Sequence, residues 1–162
     1  MKDRIVIYTD GSCNPKQGIG AWAVILHINK EKIILSGEKE HTTHQQMELL
    51  AVIKAFEYLT TASLQVLPMT IYTDSQYVVG LQRRTLKLSA SGFTTKQNLP
   101  IRNAELVYQI ITYLERMSVT LIKIKAHQMG NGHVGNREVD KLSRRIVRDR
   151  IRLEKIKREA IA

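Results

Sequence analysis

The feature that most constrains the fold is a repeated tetrapeptide, because residues 7–10 and 71–74 both read Ile-Tyr-Thr-Asp. Each copy belongs to a short run of apolar and β-branched residues, which is typical of a buried strand. Each strand is therefore expected to stop at an aspartate. Sites in α/β sheets are built at the carboxyl ends of strands, so the repeat predicts that Asp10 and Asp74 are functional.

Hydrophobic periodicity along the chain predicts the order βββαβααβα. The expected fold class is mixed α/β. No linker-like change in composition divides the chain, so one domain is expected. The predicted strands are 5–9, 22–28, 33–35, 70–73 and 119–125, and the predicted helices are 45–59 with Thr43 as N-cap, 75–81, 103–117 with Asn103 as cap, and a last helix that Asn136 opens.

Charge and composition narrow the class of partner. The 162 residues include 25 Lys and Arg against 15 Asp and Glu, a net charge of +10. A surplus of this size favours a polyanionic partner such as nucleic acid, although a basic protein without such a partner remains an alternative. Cys13 is the only cysteine, which excludes an internal disulfide and a thiolate metal cluster. No apolar run is long enough to span a bilayer, so we expect a cytoplasmic protein with no membrane partner.

Four acids stand where a lone carboxylate would be costly. Asp10 and Asp74 follow strands, Glu48 lies one turn inside the first long helix, and Asp140 lies one turn into the last. Converging carboxylates repel one another, so they need a cation or a shared proton. An all-oxygen site suits Mg²⁺ or Mn²⁺, and two such ions about 3.5–4 Å apart can promote phosphoryl displacement. The alternative for each aspartate alone is that it caps the next helix.

Four sequence blocks resemble type 1 ribonuclease H. They are TDGSC at 9–13, TTHQQMEL at 42–49, TDSQYV at 73–78, and the block from 126 to 143 that begins AH and ends GNREVDKLS. The resemblance covers residues 5 to about 143, and the predicted element order also matches the family. The last block and residues 105–114 are most similar to the ribonuclease H domains of retroviral reverse transcriptases.

The resemblance implies an α/β fold with a mixed five-stranded sheet and helices on both faces. It also implies an endonuclease that hydrolyses the RNA strand of RNA/DNA hybrids with two Mg²⁺ ions, for which Mn²⁺ can substitute. We expect the protein to be a monomer. Asp10 would bridge both ions, and Glu48, Asp74 and Asp140 would complete their ligation. His127 would move protons or help product release, with His133 as a second candidate. The substrate contacts implied are backbone approach at Gly11 and Ser12, 2′-hydroxyl contacts from Cys13, Asn14, Gln45 and Gln76, and a DNA phosphate at Thr43. His44 stands where many bacterial members carry asparagine, and we hypothesise that it also grips this phosphate.

The C-terminal part of the chain carries an excess of positive charge. From Arg137 onward there are ten Lys and Arg against five Asp and Glu, a net of +5. The segment that matches the basic protrusion of bacterial members holds few basic residues. We therefore divide the chain into a catalytic domain at 1–143 and a basic helical extension of the same domain at 144–162. The extension is hypothesised to bind phosphates, and the alternative is a solvated or self-associating helix face.

Two other classes of function remain open from the sequence alone. The first is another metal-dependent nuclease or strand-transfer enzyme with a ribonuclease H-like fold, since that fold hosts many functions. The second is a hybrid-binding module without catalytic activity. The presence of all four acids and of His127 argues against the second class.

Overall fold

The computed structural model describes residues 4–125 and 134–162 of the chain. Within these residues the elements follow one another in the predicted order βββαβααβα. The strands are β1 (Ile5–Asn14), β2 (Ile19–Ile28), β3 (Glu31–Lys39), β4 (Met69–Thr73) and β5 (Val119–Lys123), and the helices are α1 (His44–Thr61), α2 (Gln76–Ala90), α3 (Ala104–Arg116) and α4 (Val134–Ile161).

The five strands form one mixed sheet in the order β3-β2-β1-β4-β5, which confirms the predicted fold class. The pairs β1–β2 and β2–β3 are antiparallel, whereas β1–β4 and β4–β5 are parallel. The two copies of the tetrapeptide lie side by side, because Ile7 pairs with Ile71 and Tyr8 with Tyr72. The repeat therefore marks the centre of the sheet, where each strand is covered on both faces.

Helices cover both faces of the sheet because alternate residues of β1 point to opposite sides. Ile5 and Ile7 are fully buried in the main core, where Phe56 of α1 and Ile110 of α3 also lie. Tyr8 faces the other way and packs on a smaller cluster that includes Val139 of α4. The two faces thus bring α1 and α4 onto the same central strand from opposite sides.

Several predicted boundaries differ from those of the structure. Strand β1 does not stop at Asp10, because antiparallel pairing with β2 continues as far as Asn14. Helix α2 runs to Ala90 rather than to 81, with Leu88 buried in its last turn. Asn103 is the N-cap residue of α3 as predicted, but its backbone is left-handed (φ 54°) and its side chain makes no cap hydrogen bond. Helix α4 begins at Val134, before Asn136.

The N-terminus of α1 forms as predicted. The hydroxyl of Thr43 accepts a hydrogen bond from the backbone N–H of Gln46 at 3.2 Å, as expected of an N-cap. No helix in the described part of the chain is both long and apolar enough to cross a bilayer.

Gly11 allows the backbones of β1 and α1 to touch. A Cβ at Gly11 would overlap the backbone of Met47 and Glu48 and would lie 2.7 Å from the Met47 Cβ. No side chain fits this gap, because backbone atoms on both sides fix its width. The first turn of α1 is therefore held directly against the middle of β1.

We expect Gly11→Ala to lower the free energy of unfolding by about 1–3 kcal/mol or more, because the added methyl group must separate α1 from β1. The matched control is Gly80→Ala. Gly80 lies within α2, and a Cβ there would meet nothing within 4 Å. The control should raise stability by about 0.5–1 kcal/mol, because alanine is the better helix former. Urea denaturation of the two variants measures both effects, and equal stabilities would contradict the packing argument.

Candidate active site

Asp10 and Asp74 reach the site on neighbouring parallel strands. Asp74 directly follows β4. Asp10 lies within β1, two residues beyond Tyr8, which forms the last parallel pair with β4. Asp10 is only 6% exposed. The repeat therefore brings the two acids to one region of the sheet, although one of them lies inside a strand.

Glu48 reaches the same region from the first turn of α1. Its side chain is 13% exposed. One carboxylate oxygen accepts a hydrogen bond from the Ser75 hydroxyl at 2.6 Å. The other oxygen lies 3.0 Å from Nε2 of His44, one turn earlier on the helix. Ser75 also caps α2 by accepting a hydrogen bond from the N–H of Val78. This serine therefore links the start of α2, which follows Asp74, to the carboxylate of Glu48.

Asp140 is supplied by α4 on the other face of the sheet. Gly135 allows the start of α4 to pack on Tyr8, because a Cβ there would overlap the tyrosine ring. One turn after Asp140, Ser143 donates a hydrogen bond to Oδ2 of Asp10 at 2.8 Å. The Nε of Arg144 lies 2.9 Å from Oδ1 of Asp140. Helix α4 therefore contributes Asp140 to the site and also holds Asp10 through a hydrogen bond.

One cleft of about 520 Å³ collects most of the predicted site. The four acids line it, although they come from four different elements. Its lining residues are Asp10, Gly11, Ser12, Cys13, His44, Glu48, Asp74, Asp140 and Arg144. All but Arg144 were predicted from the sequence.

The other predicted substrate residues lie outside the cleft lining. The side-chain oxygen of Asn14 accepts from the N–H groups of Lys16 and Gln17, so it shapes the β1–β2 turn. Gln45 accepts a hydrogen bond from the amide of Asn103 at 3.0 Å. Gln76 is exposed at the first residue of α2, and Thr43 is the exposed N-cap of α1. His127 and His133 lie outside the described residues.

Burial and neighbouring charges raise the pKa of two of the four acids. Burial raises the pKa of Asp10 to about 7, and the charges of Asp74 and Asp140 act in the same direction. The Ser143 hydrogen bond and the charge of His44 oppose this shift. Burial also raises the pKa of Asp74, with Glu48 and Asp140 adding to it. The hydrogen bond to Glu48 raises the pKa of His44. The negative charge of the acids in the cleft therefore exceeds the positive charge of the side chains beside them.

The sequence analysis missed three residues of the site. Ser75 and Ser143 bind acids through their hydroxyls, and Arg144 pairs with Asp140. The spacing of Asp140 and Arg144 is a sequence signal for their contact, because residues four apart on a helix are neighbours. The two serines have no such signal, since their partners lie on other elements.

The chemistry of the donor set fits a hard divalent cation. Carboxylate oxygens are the ligands that Mg²⁺ and Mn²⁺ prefer. Among the described residues, no three His, Cys, Asp or Glu side chains converge closely enough to hold one ion by themselves. Mg²⁺ does not need such a cage, because it keeps several waters and binds through one or two carboxylates plus substrate phosphates.

The fold and the acid-lined cleft define a nuclease-like α/β protein, and comparison with known proteins identifies its family. The family model for RNase H matches residues 2–148. Ribonuclease H from Ehrlichia canis is 36% identical over 148 residues, covering 89% of this chain and 97% of that protein. Ribonuclease H from Francisella tularensis subsp. novicida is 31% identical over 151 residues, covering 93% and 95%.

This chain belongs to the ribonuclease H family and is a ribonuclease H enzyme, which confirms the resemblance read from its motifs. Two solved structures share its fold. One is LC9-RNase H1, a type 1 RNase H with the type 2 active-site motif (TM-score 0.73, 22% identity, covering 88% of this chain and 71% of that one). The other is the foamy viral protease-reverse transcriptase in complex with dsDNA (TM-score 0.68, 18% identity, covering 87% and 90%).

The raised pKa of Asp10 predicts how stability depends on pH without metal. Between its ordinary pKa of 3.8 and about 7, the folded protein keeps a proton that the unfolded chain releases, so stability falls as pH rises. In EDTA at pH 8, Asp10→Asn should therefore melt at a higher temperature than the wild type, and the difference should shrink towards pH 5.

Thermal denaturation from pH 5 to pH 8 measures this difference. The control is Asp149→Asn, which removes an exposed carboxylate from α4 outside the cleft. A melting difference for Asp10→Asn that stays constant across this range, or that the control reproduces, would contradict the electrostatic account.

Proposed function

We propose that this enzyme cuts the RNA strand of RNA/DNA hybrids internally by a two-metal-ion mechanism. One observation carries the proposal: Asp10, Glu48, Asp74 and Asp140 come from four separate elements and line a single cleft. Four carboxylates in a chain of net charge +10 suit a reaction at a phosphate that is held by cations. The family match supports the hybrid as substrate.

The four acids are the proposed metal ligands, with Mg²⁺ as the natural ion and Mn²⁺ as a substitute. When bound, two such ions lower the pKa of the attacking water and neutralise the charge that develops on the departing 3′-oxygen. Asp10 would be the central ligand of this set, since it is the most buried of the four acids and its pKa is raised by burial and, to a smaller extent, by Asp74 and Asp140.

The chain's own residues hold the acids in fixed directions. Ser143 donates to Asp10, and Ser75 donates to Glu48. Hydrogen bonds from neutral hydroxyls orient a carboxylate without cancelling its charge, so the acids keep their attraction for cations. His44, 63% exposed at the rim, pairs with Glu48 and is proposed to approach the DNA phosphate.

The backbone of β1 is proposed to read the RNA strand. Hybrids differ from duplex DNA in their 2′-hydroxyls, which lie in the wide minor groove. The parallel ladder with β4 ends at Tyr8, yet Gly11, Ser12 and Cys13 continue along the cleft. This edge of β1 therefore faces the cleft instead of another strand, and its N–H and C=O groups suit hydroxyl groups.

Residues at the rim are proposed to extend these contacts. Thr43 stands at the N-terminus of α1, where the helix dipole favours a phosphate. Asn14, Gln45 and Gln76 are proposed to contact 2′-hydroxyls. His127 lies outside the described residues, and its role as a proton carrier stays a prediction.

We also propose that the enzyme is monomeric and acts in the cytoplasm. The catalytic part of the chain is proposed to end at residue 143, and the basic extension continues the same helix α4.

We expect Mg²⁺ or Mn²⁺ to support internal cutting of a 5′-labelled RNA strand in a hybrid, but not of the same strand alone or in duplex RNA. EDTA should abolish the cutting. Asp10→Asn and Asp140→Asn should each lower kcat/KM by about a thousandfold or more, which corresponds to about 4 kcal/mol of transition-state stabilisation. Gel analysis of the labelled products measures all of these effects.

The matched control is again Asp149→Asn, which makes the same change on α4 outside the cleft and should retain activity. Products should carry 5′-phosphate and 3′-hydroxyl ends, because water attacks rather than the neighbouring 2′-hydroxyl. Cyclic phosphate ends would refute the two-metal mechanism. Tight hybrid binding without cutting in either metal would favour the binding module instead.

A further inference from the structure

Helix α4 continues beyond the part of the chain that defines the family. The family model ends at residue 148, whereas α4 continues to Ile161. Its last turns are anchored by Arg150, which is 22% exposed. Arg150 donates to Glu38 at 2.8 Å, to Glu154 at 2.9 Å, and to Glu40. The extension is therefore tied to the end of β3 at Arg150.

Positive charge dominates the exposed surface of α4. Arg150 pairs with three glutamates and offsets one of their three negative charges. At 3.6 residues per turn, Arg144, Arg148 and Lys155 fall on one side of the helix. The exposed cations of α4 are Arg137, Lys141, Arg144, Arg145, Arg148, Arg152, Lys155, Lys157 and Arg158.

These cations begin at the active site. Arg144 lines the acid-lined cleft and also a neighbouring groove of about 670 Å³. Asp140 lines both cavities as well, so the groove adjoins the site. Lys141, Arg145 and Arg148 line the groove further along α4.

A second cavity of about 420 Å³ lies at the far end of α4, which we call the distal cavity. Lys16 and Gln17 from the β1–β2 turn line it, and Arg158 lines it from the helix. Its two acids are Glu40 and Glu154, which both pair with Arg150. Among the described residues, neither Lys16 nor Arg158 forms a salt bridge, although the charge of Arg158 acts on the neighbouring Glu154.

The distal cavity is aligned with the active site along two elements. Arg158 follows Asp140 by 158 − 140 = 18 residues, which is five turns, so both lie on the same side of α4 about 27 Å apart. Lys16 follows the strand that carries Asp10, at most about 20 Å from it at a strand's rise per residue. At about 3.4 Å per base pair, this is roughly six to eight base pairs from the acids.

We propose that the cationic side of α4, with the distal cavity at its end, binds the sugar-phosphate backbone of the hybrid six to eight base pairs from the cut. This inference rests on the proposed function, because the hybrid must first occupy the cleft. The exposed apolar residues Leu153 and Ile156 lie on another side of α4 from Arg144 and Lys155, so the cationic side itself suits a polyanion rather than a bilayer.

The test uses two hybrids, about 8 and about 20 base pairs long at 3.4 Å per base pair, with ribonucleotides only at the centre so that the cut fixes the register. The short hybrid ends before the distal cavity, and the long one passes it. Lys16→Ala/Arg158→Ala should lower kcat/KM on the long hybrid by about tenfold at low salt, with the loss confined to that substrate. Its log–log salt slope should become shallower by about 1–2, because about 0.9 of a counterion is released per phosphate contact.

Two matched variants separate charge from folding. Lys30→Ala/Lys157→Ala removes the same charge, with Lys157 adjacent to Arg158 but outside the distal cavity, and should behave as the wild type. Lys16→Arg/Arg158→Lys keeps both charges and should retain the wild-type salt slope. All three double variants should have the melting temperature of the wild type, since all four positions are exposed.

Three outcomes would overturn this inference. One is an equal loss from the test pair and the control pair. Another is an equal loss on short and long hybrids, which would assign the residues to the cleft. The third is that vesicles rich in phosphatidylserine bind the wild type more tightly than the long hybrid does, with that binding lost in Lys16→Ala/Arg158→Ala. If the wild type cuts neither hybrid in Mg²⁺ or Mn²⁺, the proposed function itself fails, and this result is distinct from the other three.

Discussion

Direct contact between the backbones of α1 and β1 at Gly11 determines where the site forms. Because no side chain separates them, Glu48 on the first turn of α1 lies over the strand that carries Asp10. On the opposite face, Gly135 lets α4 approach Tyr8 in the same way. The parallel register of β1 and β4 then adds Asp74. Two close contacts at glycines and the parallel pairing of β1 with β4 therefore bring four acids from different parts of the chain into one cleft.

Collecting four carboxylates in this way opposes folding. Asp10 is 6% exposed, and its pKa near 7 reflects both burial and the neighbouring negative charges. The fold tolerates this because the strand beneath is stabilised by a fully buried core that includes Ile5, Ile7 and Phe56. Hydroxyl groups orient the acids, and Arg144 and His44 offset part of their charge. The excess negative charge that remains would be neutralised by a divalent cation, which could then bind a phosphate.

The sequence was informative where a signal is local or periodic. The tetrapeptide repeat predicted the two central strands, and Thr43 predicted the start of α1. Strand alternation and helical periodicity were sufficient for the element order and for the candidate acids, which all line the cleft.

The sequence was uninformative where the outcome depends on tertiary partners. Asp10 was expected at a strand end, but pairing with β2 extends β1 beyond it. Gly11 is predicted to allow approach to a substrate, but no local pattern reveals that its α-carbon also lies against the backbone of α1. The roles of Ser75 and Ser143 depend on partners 27 and 133 residues away, respectively, which no local pattern reveals.

The central claim is that metal ions held by the cleft contact the scissile phosphate. The most direct test replaces one non-bridging oxygen of that phosphate by sulfur in a hybrid substrate. Mg²⁺ is a hard ion and prefers oxygen, whereas Mn²⁺ accepts softer ligands more readily. We predict that the sulfur-containing hybrid is cut much more slowly than the normal one in Mg²⁺, and that Mn²⁺ restores most of the rate for one of the two phosphorothioate stereoisomers. An equal effect of sulfur in both metals, for both stereoisomers, would contradict metal contact with the phosphate.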